Sequence, residues 1–303
     1  MEGPGVKSSG ELAAELFDQL EQRSHASSAD PHLPERRIAT HFCDIDAVTQ
    51  GLKRGSLVVL AGSTAMGKTA LALNLARTIS LQSQTPVLYG AYDSSPQDLM
   101  PRLLASLCGV ESGRIQAPRL MQSEWPQLGE AMATIGAAPL FFFDQATCSL
   151  EAIRQRCYEL QAQDCGAPGV LILDHLQLLP PLVPGDDQDL APLLQALRQL
   201  AIELDLCLIL LCQIPPHAEL RDSQRPLLND VPCVAAMQTY AHVIALLHRE
   251  EYWNPDSAVR GQAELIFCKN SDNPVGTVRL AFEPQFSRFS LPQQKEALLQ
   301  EAA

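Results

Sequence analysis

The stretch LVVLAGSTAMGKTALALNLA, residues 57–76, limits what this chain can fold into more than any other segment. An apolar run of the kind found in buried strands leads into a glycine turn, and leucines and alanines at helical spacing follow it. Gly62, Ser63, Thr64, Ala65, Met66, Gly67, Lys68 and Thr69 match the pattern G-x-x-x-x-G-K-[ST]. In a loop of that pattern successive backbone N–H groups wrap the phosphates of a nucleotide. Lys68 is then expected to reach the β- and γ-phosphates, and the Thr69 hydroxyl to ligate Mg²⁺. The helix that follows points the positive end of its dipole at the same anion.

From about residue 36 the chain alternates short apolar runs with longer amphipathic segments, the pattern of a parallel sheet flanked by helices. The runs are LVVLAG, PVLYGAY, PLFFFD, GVLILD and LCLILLCQ, with helices expected at about 67–82, 96–108, 123–136, 149–163 and 188–204. Each is long enough for a right-handed crossover. After residue 240 the helices are expected to stop, and AHVIALLH, AELIFCK, GTVRLAFE and RFSL read as antiparallel strands added to one edge. The expected fold class is therefore α/β: a central, mostly parallel sheet flanked by helices, with antiparallel strands near the C-terminus.

Residues 10–24 place Leu12, Leu16, Phe17 and Leu20 on one side of a short amphipathic helix. The polar, proline-broken HASSADPHLPE that follows reads as a linker. The expected organisation is an N-terminal helix and linker over 1–35, one large domain over 36–292, and a tail over 293–303.

A net charge of -13 and a pI near 4.9 argue against a general polyanion binder, because such proteins gain most of their affinity from a basic footprint. The nine cysteines are scattered, with no C-x-x-C pair, and read as reduced thiols of a cytosolic core. No basic region precedes an uninterrupted apolar run at the N-terminus, and no segment approaches the ~18 apolar residues of a membrane span. The expected location is cytoplasmic, with no membrane partner.

A nucleotide site needs a second acid near the metal. GVLILDHLQLL supplies Asp174 at the end of four apolar residues, where a metal-holding carboxylate is expected. With that acid in view, the order and spacing of THFCDIDAVTQGLKRGSLVVLAG, STAMGKTALALNLA, ILDHLQLL, LILLCQ, QRPLLND and CKNSDNPVGTVRLAFEPQFSRF resemble the C-terminal motor domain of DnaB-like replicative DNA helicases over about residues 36 to 290.

The resemblance implies a RecA-like P-loop NTPase that binds ATP with Mg²⁺ between adjacent subunits of a six-membered ring and moves along single-stranded DNA. It assigns the water-polarising acid to Asp93, where the family has a glutamate. The shorter side chain withdraws the carboxylate by about one methylene, and a ~1 Å misplacement of a catalytic group can cost about 10²-fold. It assigns the γ-phosphate sensor to Gln213. The family's K-x-R pair, which reaches the neighbour's nucleotide, corresponds to Lys269-Asn270-Ser271. The lysine is retained and the arginine finger is replaced by Ser271, which implies slow hydrolysis unless Arg260 or Arg279 substitutes, since such fingers contribute on the order of 10³–10⁵ in rate. The DNA-facing loops depart as well, implying weakened single-strand binding; Arg221 and Arg225 remain there, read first as solvated surface residues and otherwise as phosphate contacts. His175 stands where a tyrosine is usual and reads as a structural neighbour of Asp174. About 35 residues precede the core where the family has a helical N-terminal domain, and the 10–24 helix matches the family's linker helix. The expected partners are copies of the chain itself, in a ring or smaller oligomer, and a full-length helicase or another replication protein. The alternative implied by the same departures is a degenerate paralogue that binds nucleotide and acts as a regulatory subunit without unwinding.

Overall fold

The computed structural model describes residues 37–117, 119–144, 149–163, 166–179, 190–215, 221 and 223–292. The helix expected over 10–24, its linker, the tail over 293–303, Cys148 and Cys165 lie outside the described residues. A two-stranded ribbon, β1 (Arg37–Ile38) with β2 (Leu52–Lys53), brackets α1 (Cys43–Thr49). There follow β3 (Ser56–Gly62), α2 (Lys68–Gln82), β4 (Val87–Ala91), α3 (Pro96–Cys108), α4 (Ser112–Gln116), α5 (Trp125–Gly136), β5 (Leu140–Asp144) and α6 (Leu150–Ala162). Then come β6 (Val170–Asp174), α7 (Ala191–Glu203), β7 (Cys207–Gln213), α8 (Val234–Tyr240), β8 (Val243–His248), α9 (Glu250–Trp253), β9 (Gln262–Asn270), β10 (Gly276–Glu283) and β11 (Arg288–Ser290).

Strands β3 to β11 form one sheet in the order β11-β10-β9-β8-β3-β7-β6-β4-β5. The six strands from β8 to β5 run parallel, and β9, β10 and β11 continue the sheet antiparallel beyond β8. The expected α/β architecture is thus observed, with one correction. AHVIALLH, read as the first antiparallel strand, is β8, which pairs parallel with β3 on the side away from β7. The short α9 also lies after residue 240, where helices were expected to stop. Helices α1 and α8 span only seven residues each, too few for a hydrophobic period to register.

Strand β3 shows why the parallel core reads as unbroken apolar sequence. All seven of its residues are buried. Val58 and Leu60 face one layer with Leu71 and Leu75 of α2, while Leu57, Val59 and Ala61 face the other with Leu193 and Leu197 of α7. With helices on both faces there is no solvent side to mark by alternation. Helix starts follow local chemistry. The Ser95 hydroxyl accepts from the Asp98 N–H at 3.2 Å ahead of Pro96, and the Ser149 hydroxyl accepts from the Ala152 N–H at 3.1 Å.

The parallel core aligns its strand ends. Gly62 pairs with Gln213, and Ala91 with both Asp174 and Asp144, so these residues share one edge of the sheet. Open parallel sheets bind ligands in the crevice at that carboxyl edge.

Candidate nucleotide-binding site

The loop from Gly62 to Gly67 leaves β3 and turns into α2. At Gly62 the backbone passes so close to β8 that a Cβ would lie 2.8 Å from the Leu247 carbonyl oxygen, so no side chain fits. Ala65 and Gly67 have φ of 62° and 99°, the left-handed conformation that recurs in anion-cradling loops. A Cβ at Gly67 would also approach the Phe289 ring at 3.2 Å. Phe289 stacks on Phe282 with centroids 4.3 Å apart, so the antiparallel β10–β11 hairpin supports the loop from beneath. Lys68 Nζ donates to the carbonyls of Gly62 and Ser63, each at 2.8 Å. Its ammonium is therefore held at the mouth of the cradle, above the N-terminus of a 15-residue helix.

Asp174 ends β6 and is 6% exposed. The Tyr89 hydroxyl donates to its Oδ2 at 2.9 Å, and the Thr69 side chain hydrogen-bonds it as well. Burial raises the carboxyl above its usual range; the hydrogen bonds from Thr69 and Tyr89 oppose the rise, and Asp93 adds to it by repulsion. Thr69 and Asp174, expected separately as metal ligands, are thus in contact. Asp93 sits exposed on the loop beyond β4, close enough for its charge to act on Asp174.

Gln213 ends β7, and its Nε2 donates to Thr64 Oγ1 at 2.8 Å, which points the side chain into the P-loop. Five expected site residues, Lys68, Thr69, Asp93, Asp174 and Gln213, are therefore gathered with the loop at one sheet edge. The donor set suits a nucleoside triphosphate with a hard divalent cation: the loop N–H groups, one ammonium, a hydroxyl and a carboxylate.

A family model described as the DnaB-like helicase C-terminal domain matches residues 37–291. The chain belongs to that family. The chain is 27% identical to the replicative DNA helicase DnaB of Geobacillus stearothermophilus over 92% of this chain and 61% of that protein. To the replicative DNA helicase DnaB of Pasteurella multocida it is 31% identical over 94% of this chain and 62% of that protein. It spans about three fifths of the length of these curated relatives. Among solved structures, a DnaB-like replicative helicase described with its interactions with primase superposes with a TM-score of 0.82 at 27% identity, covering 94% of this chain and 67% of that one.

In this DnaB-like domain Lys269 stands apart from the residues just described. Asn270 pairs with Val243, which pairs with Val58, four residues back along β3 from Gly62. At ~3.3 Å per residue that is about 13 Å, on the opposite edge of the sheet from the domain's own P-loop. The Lys269 ammonium is turned onto the end of α8, donating to the carbonyls of Ala241 at 2.6 Å and Gln238. Burial and the nearby Arg198 lower its pKa. The Ser271 hydroxyl donates to the His242 carbonyl at 2.9 Å. Beside it, Asp272 accepts from Arg37 and Lys53. Burial alone would raise the Asp272 carboxyl, but the Lys53 hydrogen bond and the charges of His242, Lys53 and Arg37 hold it lower. Arg221 and Arg225 pair with Asp230 and Glu264. Arg279 is an exposed residue of β10 and Arg260 lies between α9 and β9; neither joins the P-loop group.

Three residues at the DnaB-like site carried no sequence signal strong enough to single them out. Tyr89 is hidden inside an apolar run. Gln177, from the quoted ILDHLQLL, bonds both ways with the backbone of Gln213. Arg249, just past β8, donates to the Ala65 carbonyl at 3.2 Å, lies over the Phe282 ring at 4.4 Å and pairs with Glu251 at 2.6 Å. A polar or charged residue at the carboxyl end of a parallel strand was the available signal for Arg249, and nothing ranked it above its neighbours. His175 Nδ1 lies 3.0 Å from Gln177 Oε1. Burial pushes the Cys157, Cys207 and Cys212 thiols up to about 12, so they stay protonated. Among the described residues no helix is long and apolar enough to cross a membrane.

Proposed function

We propose that this chain is the ATP-hydrolysing motor of a DnaB-type DNA helicase or translocase that acts in DNA replication in the cytoplasm, and that its turnover is slow. The observation that carries the reading is the convergence of the P-loop, the Thr69–Asp174 pair and Gln213 at one sheet edge in a member of this family. In the proposed mechanism the loop N–H groups and Lys68 hold the β- and γ-phosphates, and Thr69 and Asp174 hold Mg²⁺, which when bound supplies charge neutralisation on the phosphates. Asp93 orients a water and accepts its proton as the water oxygen bonds to the γ-phosphorus and the bond to the ADP oxygen breaks. Gln213 contacts the γ-phosphate and reports its loss. Lys269 serves the site of a neighbouring copy in a ring or smaller oligomer, and Ser271 leaves that site without its arginine. Single-stranded DNA is the proposed track, held more weakly because Arg221 and Arg225 are committed to carboxylates.

A second reading is favoured by the trans side: Lys269 and Ser271 are both tied to carbonyls of their own chain. It holds that the chain binds nucleotide and regulates a full-length helicase or another replication protein without unwinding. Steady-state hydrolysis of Mg²⁺-ATP, with and without single-stranded DNA, separates the two. The motor reading expects hydrolysis that single strands stimulate and that Lys68→Ala abolishes. Lys68-dependent binding with neither stimulation nor strand separation would leave only the regulatory reading.

A further inference from the structure

Backbone pairing between β6 and β7 stops at Leu173 opposite Leu210, yet β7 runs three residues further, to Gln213. On its β3 side Gln213 pairs with Gly62, and the Ile214 N–H donates to the Gly62 carbonyl at 3.0 Å. On its β6 side no strand remains. The side-chain amide of Gln177 fills that place. Its Nε2 donates to the Gln213 carbonyl at 2.9 Å, and the Gln213 N–H donates to its Oε1 at 3.2 Å. This is the two-way exchange of a strand rung, made by a side chain. The orientation is determined, because a flipped amide would set N–H against N–H and oxygen against oxygen. Its Nε2 also lies 3.6 Å from Cys212 Sγ, and Oε1 accepts from His175 Nδ1 at 3.0 Å.

We propose that Gln177 is a positioning residue: it locks the end of β7 so that the Gln213 side chain, 2.8 Å from Thr64 in the P-loop, is aimed at the γ-phosphate. This rests on the γ-phosphate role given to Gln213 under Proposed function. The same side chain ties the segment after Asp174 to that strand end. Gln177 is itself exposed, so its bonds to Gln213, and not core packing, are what its replacement removes.

The test uses the full chain with Mg²⁺ and compares affinity for ADP, which lacks the γ-phosphate, with affinity for ATPγS, which has it. Gln177→Met keeps the length and removes both hydrogen bonds. It is expected to lower ATPγS affinity and kcat by about tenfold, the worth of roughly one hydrogen bond to a charged group. ADP affinity should stay within about twofold and the melting temperature should not move. Gln177→Glu, which sets an oxygen against the Gln213 carbonyl, should do at least the same damage. Gln213→Ala should show the same selective loss, and the Gln177→Met/Gln213→Ala double variant should be no worse than Gln213→Ala alone. The proposal is overturned if Gln213→Ala loses the preference for ATPγS while Gln177→Met keeps it, or if the two losses multiply. If Gln213→Ala itself leaves the preference intact, the sensor role fails and this inference fails with it.

Discussion

Asp174 is 6% exposed at the end of β6, and its donors Tyr89 and Thr69 only partly offset the water it has lost. Its carboxyl is raised above 3.8, so the folded chain holds that proton more tightly than the unfolded chain does. The sign follows: the group costs no stability below about pH 3.8, and the cost grows as pH rises through the folded value to a plateau. Asp174→Asn, which removes the buried charge, is therefore expected to match or exceed the wild-type melting temperature at pH 7 while losing Mg²⁺-dependent hydrolysis. Thermal melts from pH 4 to 8 without metal check this; a lower melting point for the variant across that range would contradict it. Tyr89→Phe should cost ~1–3 kcal/mol by leaving a buried carboxylate oxygen short of a donor, and should raise the Mg²⁺ concentration for half-maximal hydrolysis. A urea melt and a metal titration read the two effects. Asp174 was legible in the sequence because an acid after an apolar run ends a strand. Tyr89 was not, since a tyrosine among Val87, Leu88 and Gly90 looks like any other core residue until the fold sets its hydroxyl against that acid.

Among elements, β10 and β11 have the least evident link to nucleotide chemistry, yet they lie beneath the P-loop. Asn74, fully buried in α2, donates to the Ala70 and Ser287 carbonyls at 2.7 and 2.8 Å and accepts from the Phe289 N–H at 3.3 Å. It clasps β11 to the helix that begins at Lys68, and Phe289 in turn packs against Gly67. Asn74→Leu is expected to destabilise the fold by roughly 1–3 kcal/mol by stranding buried backbone groups. ADP affinity should fall with it as the support under Gly67 loosens. Chemical denaturation and calorimetry measure both; full stability with undiminished ADP affinity would show that the hairpin does not support the loop. The strand runs and five long helices could be read from periodicity. The placement of β8 could not, because a buried apolar strand carries no mark of its direction, and only its pairing with β3 shows it to be parallel.

Across the whole molecule, the P-loop and the Lys269–Ser271 segment occupy opposite edges of the sheet, so the segment does not serve the P-loop of its own chain. The role proposed for the segment at a neighbouring copy comes from the resemblance alone, because no hydrophobic period or residue spacing within one chain encodes a contact between chains. Asp272, next to Ser271, is already engaged by Arg37 and Lys53, so an arginine introduced at 271 is not fully neutralised by that acid. In the proposed function one chain supplies the P-loop, Thr69, Asp93, Asp174 and Gln213, and the arginine that a neighbouring copy would supply is missing. The direct measurement is the Mg²⁺-ATP turnover of wild type and Ser271→Arg at a protein concentration where self-association is established. Fingers contribute on the order of 10³–10⁵ in rate, so even partial restoration should accelerate Ser271→Arg at least about tenfold. The wild type should remain well below the ~10 s⁻¹ of a typical enzyme. A wild type that already turns over at that rate, with Ser271→Arg no faster, would contradict the claim.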